Sequence, residues 1–133
     1  LDLTPWGYRG DAFVLDIPLQ SPGPGGEQEP ISVAEAETFR DTYTLIRMMV
    51  RVDGVPEPIL QASHADGELF IDPAHVLEDG SSCPVLSIRI PSSKTGTFVE
   101  DGVYDIELDY PGSLGPYTLL RGAFALPEDV SYD

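Results

Sequence analysis

In VYDIELDY, residues 103–110, Tyr104, Ile106, Leu108 and Tyr110 alternate with Asp105, Glu107 and Asp109. A period of two puts every apolar side chain on one face of an extended chain and every acid on the other. Wound into a helix of 3.6 residues per turn, the same residues would scatter acids around the whole barrel of the helix. The segment therefore reads as a strand with one wet face and one dry face, and a dry face needs something to cover it.

Further segments follow the same rule. In AFVLDIPL, residues 12–19, Phe13, Leu15, Ile17 and Leu19 share a face, and Pro18 on the other face suggests an edge strand. In YTLIRMMVRV, residues 43–52, Thr44, Ile46, Met48, Val50 and Val52 make the better core face, leaving Tyr43, Leu45, Arg47, Met49 and Arg51 opposite. GELFID (67–72) points Leu69 and Ile71 inward, and PVLSIRI (84–90) aligns Leu86, Ile88 and Ile90 against Ser87 and Arg89. YTLLRGAFAL (117–126) follows the turn PGSLG and sets Leu120, Phe124 and Leu126 on one face. Asp53-Gly54, Asp66-Gly67, Asp79-Gly80 and Asp101-Gly102 are turn dipeptides between such runs. The expected fold is all-β: an antiparallel, Ig-like β-sandwich of about six to eight strands.

One or two short helical segments are expected within it. ISVAEAETFRDTY (31–43) carries Ser32 and Glu35 at capping-box spacing, but Ile31, Ala34 and Thr38 make a poor apolar stripe, so a short helix and an irregular segment both remain open. PAHVLED (73–79) reads as a helical turn opened by Pro73, and SSKTGTF (92–98) as another. SPGPGGEQEP (21–30) is rich in Pro and Gly and reads as a flexible hairpin or insertion loop. The 133 residues fit one domain, with residues 1–8 as an N-terminal docking arm.

Charge narrows the choice of partners. Lys and Arg total 7 against 23 Asp and Glu, a net of −16. Such a surface repels phosphate backbones and anionic bilayers, so neither nucleic acid nor membrane is an expected partner. The apolar runs fall far short of the ~20 residues of a membrane helix, and LDLTPWGYRGD lacks the basic-then-apolar order of a signal peptide. The single Cys83 allows no internal disulfide.

Chemistry-bearing patterns are sparse. His64 and His75 lie in different elements without metal-ligand spacing, and Cys83 before Pro84 reads as a small filler. The acidic pairs Glu78-Asp79 and Glu100-Asp101 lack the calcium-loop spacing. Asp105 and Glu107 could form a hydrolytic carboxylate pair, yet acids alternating with apolar residues are the usual solvated face of a sheet. G-x-S-x-G is absent. Arg9-Gly10-Asp11 reads as a turn launching the first strand rather than an adhesive tripeptide. No enzyme, cofactor or metal is expected. Tyr43, Tyr104, Tyr110, Tyr117 and Tyr132 offer rings for sugar stacking, though most fall on expected core faces. Trp6 and Tyr8, ahead of the first strand, are the candidate interface residues, because aromatic side chains are enriched at interface centres.

The order of these pieces carries a resemblance. RGDAFVLDI, a Gly-Asp-aromatic lead-in to a first strand, is followed by YTLIRMMVRV, GELFID, PVLSIRIPSSKTGTFVEDGVYDIEL and the closing LLRGAFALPEDVS. Over about two-thirds of the chain this order resembles small β-rich structural proteins of tailed bacteriophages. SPGPGGEQEP and ISVAEAETFR depart from that pattern. The resemblance implies a non-enzymatic virion component, in a tail, baseplate, neck or fibre-attachment module. Its partners would be other virion structural proteins, and it would sit as a homo-oligomer or in repeated copies on the particle. The alternative is a ligand- or carbohydrate-binding module for host recognition.

Overall fold

The computed structural model of the protein describes residues 11–95, 102–110, 112 and 114–124. The strands are β1 (Phe13–Pro18), β2 (Gln20–Pro22), β3 (Gln28–Pro30), β4 (Leu45–Arg51), β5 (Leu60–Ser63), β6 (Leu69–Val76), β7 (Ser82–Ile90), β8 (Gly102–Asp109) and β9 (Tyr117–Phe124). Two helices, α1 (Val33–Thr42) and α2 (Ser92–Thr95), interrupt them. The chain is mostly β, and every sheet is antiparallel: β1-β7-β6, β2-β3 and β5-β4-β8-β9.

The two larger sheets feed one hydrophobic cluster. Ile46, Met48 and Val50 of β4, Tyr104, Ile106 and Leu108 of β8, and Leu86, Ile88 and Ile90 of β7 are all buried in it. Phe13 of β1 meets Phe124 of β9 with ring centroids 5.4 Å apart, an aromatic contact between the two sheets. Burial of each such side chain is worth about 1.5–3 kcal/mol, so the alternation seen in the sequence is what drives the sheets together.

The described residues form nine strands, more than the six to eight expected. Two of the additional strands are β2 and β3, which pair the ends of segment 21–30 into a small ladder around Gly23–Glu27. Another is β5, whose Leu60 and Ala62 face the core. The helical turn expected over residues 73–79 is not formed at its start, because β6 runs on to Val76. Pro73 has no N–H for the ladder, and a register shift between Asp72 and His75 absorbs it, with the Ala74 N–H turning to Asp72 Oδ1 at 3.1 Å.

Helix α1 begins on the expected capping box. Ser32 Oγ accepts from the Glu35 N–H at 3.1 Å, and Glu35 Oε1 accepts back from the Ser32 N–H at 3.4 Å. Ala36 is buried, and Phe39 packs against the core. Gly54, Gly67 and Gly80 take positive φ, as their Asp-Gly turns require. Gly102 does something else. It lies in β8, where a Cβ would collide with the Arg51 carbonyl.

One half-buried ion pair ties the sheets together. Glu68 Oε1 accepts from Lys94 Nζ of α2 at 2.8 Å and from the Ser63 N–H of β5 at 3.2 Å. Lys94 Nζ also donates to the Gln61 carbonyl at 2.8 Å. Thr95, wholly buried, donates from Oγ1 to the Asp11 carbonyl at 2.6 Å, which fastens α2 to the start of β1.

Candidate interaction surface

The outer face of the four-stranded sheet is built by the polar half of the alternation. In β4 the side chains opposite the core are Leu45, Arg47, Met49 and Arg51. The β4–β8 register sets Leu45 beside Asp109, Arg47 beside Glu107, Met49 beside Asp105 and Arg51 beside Val103. The β8–β9 register adds Arg121 next to Asp105. Arg47 donates from Nε to Glu107 Oε2 at 3.2 Å, and its Nη2 lies 3.2 Å from the same oxygen. The Arg51 guanidinium rests on the Met49 sulfur at 2.9 Å. Leu45 and Val103 are 57% and 60% exposed on this face.

A shallow cavity of about 410 Å³ opens there, lined by Arg51, Val103, Tyr104, Asp105, Arg121 and Gly122. Partial burial raises the Asp105 carboxyl above its ordinary pKa, the neighbouring Glu107 charge adds to that rise, and Arg51, Arg121 and Arg47 act against it. Asp105 and Glu107 do share a face, as the sequence indicated. The arginines among them make the pair part of a mixed-charge lattice.

A second polar group occupies the outer face of the three-stranded sheet. Asp16 Oδ1 accepts from Ser87 Oγ at 2.7 Å and from Arg89 Nη2 at 2.9 Å. His75 lies between two carboxylates, with Nε2 3.4 Å from Asp16 Oδ2 and Nδ1 3.5 Å from Asp72 Oδ2. Burial by itself would raise the Asp16 pKa, but the hydrogen bonds from Ser87 and Arg89 and the charges of Arg89 and His75 together hold it below the ordinary value. Ser87, expected on a solvated face, is buried because Asp16 and Arg89 cover it.

The other residues singled out in the sequence are dispersed. His64 follows β5 and its Nδ1 hydrogen-bonds the Leu69 carbonyl at 3.0 Å, whereas His75 lies further along β6 among Asp16 and Asp72. Asp79 is held by Ser81 in its own turn. Cys83 is half-buried at the start of β7. Among the described residues no group of three His, Cys, Asp or Glu side chains is placed to hold a metal, and no helix is long and apolar enough to cross a membrane. Trp6 and Tyr8, the arm 1–8, Arg9, Gly10, Glu100, Asp101 and Tyr132 lie outside the described residues.

Two arrangements escaped the sequence reading. The first is the meeting of Arg47, Arg51 and Arg121. Arg47 and Arg51 were visibly on one face, but only the cross-strand register brings Arg121 to them. The second is an aromatic cluster at the end of α1. Tyr43 meets Phe39 at 4.8 Å, Tyr110 at 5.6 Å and Tyr117 at 6.3 Å between ring centroids. The charge of Tyr117 is the largest of the influences that raise the Tyr110 pKa, followed by desolvation and a hydrogen bond to Tyr117. Tyr104, by contrast, is buried in the core. No protein-family model, curated protein or solved structure matches the chain.

Proposed function

We propose that this chain is a non-enzymatic structural component of a tailed-phage virion, an Ig-like β-sandwich that works through protein–protein contacts. The observation that carries the reading is the outer face of the four-stranded sheet. It leaves Leu45 and Val103 more than half exposed and sets Met49 among Arg47, Arg51 and Arg121. Arg and Met are enriched at protein interfaces relative to the rest of the surface. The order of strand motifs resembling phage structural proteins supports the same reading. The two large sheets that share one core suit a sandwich.

Cryo-microscopy of the intact particle tests it. The expected result is repeated copies of this chain in contact with other tail, baseplate or neck proteins. Particles that contain no copy of it refute the proposal. Removal of residues 1–8, which hold Trp6 and Tyr8, is expected to leave the sheets folded and weaken incorporation. Full incorporation of the shortened chain rules out the arm as a contact.

The aromatic cluster favours one second reading, a carbohydrate-binding module. Tyr117 is 53% exposed beside Tyr43 and Tyr110, which offers a ring face to sugar C–H groups. Binding on a glycan array that is lost in Tyr117→Ala supports it, and a blank array removes it.

A further inference from the structure

We infer that the outer face of the four-stranded sheet docks on the same face of a second copy of this chain, about a two-fold axis that runs along the strands between β4 and β8. The inference rests on the assembly reading above and names the partner.

Charge is the first argument. Each copy carries −16, so two copies repel over most of their surfaces. The remaining described cations are committed elsewhere: Arg40 to Asp41, Arg89 to Asp16 and Lys94 to Glu68. On the outer face, Arg47, Arg51 and Arg121 stand among Asp105, Glu107 and Asp109. Charge there is locally balanced, and this is the face on which a second copy meets the least opposition.

Geometry is the second. β4 and β8 are antiparallel neighbours with Arg47 directly beside Glu107. A half-turn about an axis between them and parallel to them lays the β4 row of one copy over the β8 row of the other without changing height along the strands. Arg47 then stands over the second copy's Glu107, and Arg51 over its Val103, with both contacts repeated by symmetry. A guanidinium has five N–H donors, so the bond within the chain leaves Arg47 donors for the second copy. Met49 lies in the middle, with Leu45 and Val103 at the two ends of the patch.

Size sets the strength. Four strands of about seven residues span roughly 20 Å by 20 Å, on the order of 400–500 Å² per copy. That is below the ~800 Å² per partner of a stable interface. Pairing is therefore weak between free molecules, with a Kd of roughly 0.1–1 mM, and becomes strong when a particle holds copies side by side.

Sedimentation equilibrium on the full chain at concentrations reaching the millimolar range tests this. The wild type is expected to dimerise. Arg47→Glu and Glu107→Arg alone are each expected to weaken association by at least about tenfold, because each puts like charges opposite one another twice. An equimolar mixture of the two variants is expected to regain it, since every 47–107 contact is again between opposite charges. Val103→Arg, at an exposed position that carries no ion pair, puts a second cation opposite Arg51 of the other copy twice and is expected to abolish pairing while circular dichroism stays unchanged. A wild type that remains monomeric throughout, or a mixture that associates no better than its components, overturns the inference. A monomeric chain still found in repeated copies on a particle would overturn this face and leave the assembly reading standing. A dimer in solution from a chain found on no particle would do the reverse.

Discussion

The ion pair between Glu68 and Lys94 makes the most demanding prediction. The Glu68 side chain is only 7% exposed, whereas Lys94 is 36% exposed. Replacing Lys94 by Met leaves the carboxylate shielded from water with the Ser63 N–H, at 3.2 Å, as its remaining described donor. Breaking a fully buried pair costs about 3–5 kcal/mol, and breaking an exposed one about 0.2–1 kcal/mol. With one end shielded and the other open, the expected cost is about 2 kcal/mol. For a chain of this length that lowers Tm by about 6–10 °C. Urea denaturation of Lys94→Met, Glu68→Gln and the double variant measures both the cost and the coupling. A neutral amide at position 68 needs no counter-charge, so the double variant is expected to lose about 1 kcal/mol less than the sum of the singles. A Tm change below about 2 °C in Lys94→Met, or strict additivity in the cycle, would refute the claim that this pair fastens α2 and β5 to the start of β6.

Three further outcomes are expected. The Asp16 pKa is lowered by folding, so its contribution is complete above the unfolded value, near 3.8, and is lost as pH falls through the lower folded value. Melting curves between pH 2 and 6 should therefore fall more steeply on the acid side for the wild type than for Asp16→Asn, and equal slopes would count against the Ser87–Arg89 cradle. Gly102→Ala should cost about 1–3 kcal/mol by pushing β8 off the Arg51 carbonyl, and an unchanged urea midpoint would mean that the strands part without strain. Ser32→Ala should remove the capping box and cost about 1 kcal/mol, with faster amide exchange in α1 as the direct readout. Unchanged exchange there would show that Phe39 packing alone holds the helix.

The strands that were legible are the ones where packing and local chemistry agree. β4 and β8 alternate over seven or more residues, and their apolar rows are the buried rows, whereas in β7 the opposite row is buried too, at Val85 and Ser87. β5 was missed because four residues, Leu60–Ser63, are too few to establish a period. The stretch 73–79 read as a helical turn because Pro suits the first position of a helix, yet pairing of His75 with Cys83 and Val76 with Ser82 carries the strand past it. The individual groups of the candidate surface were visible, since Arg47, Arg51, Asp105 and Glu107 all sat on outward rows. Their convergence was not, because it depends on which strands are neighbours and in what register. That information resides in contacts between residues 47 and 107, far apart along the chain.

The two margins of the three-stranded sheet each contain a proline, Pro18 in β1 and Pro73 in β6. A ring in place of an N–H interrupts the row of donors that an incoming strand would have to match, and the kink at Asp72–His75 bends the β6 margin further out of line. Copies of any chain with open sheet margins are at risk, at high concentration, of zipping edge to edge into runaway fibres, and the margins of this sheet work against that growth. Neighbours are left to meet it through side chains, where the recognition can be chosen and the stacking stops.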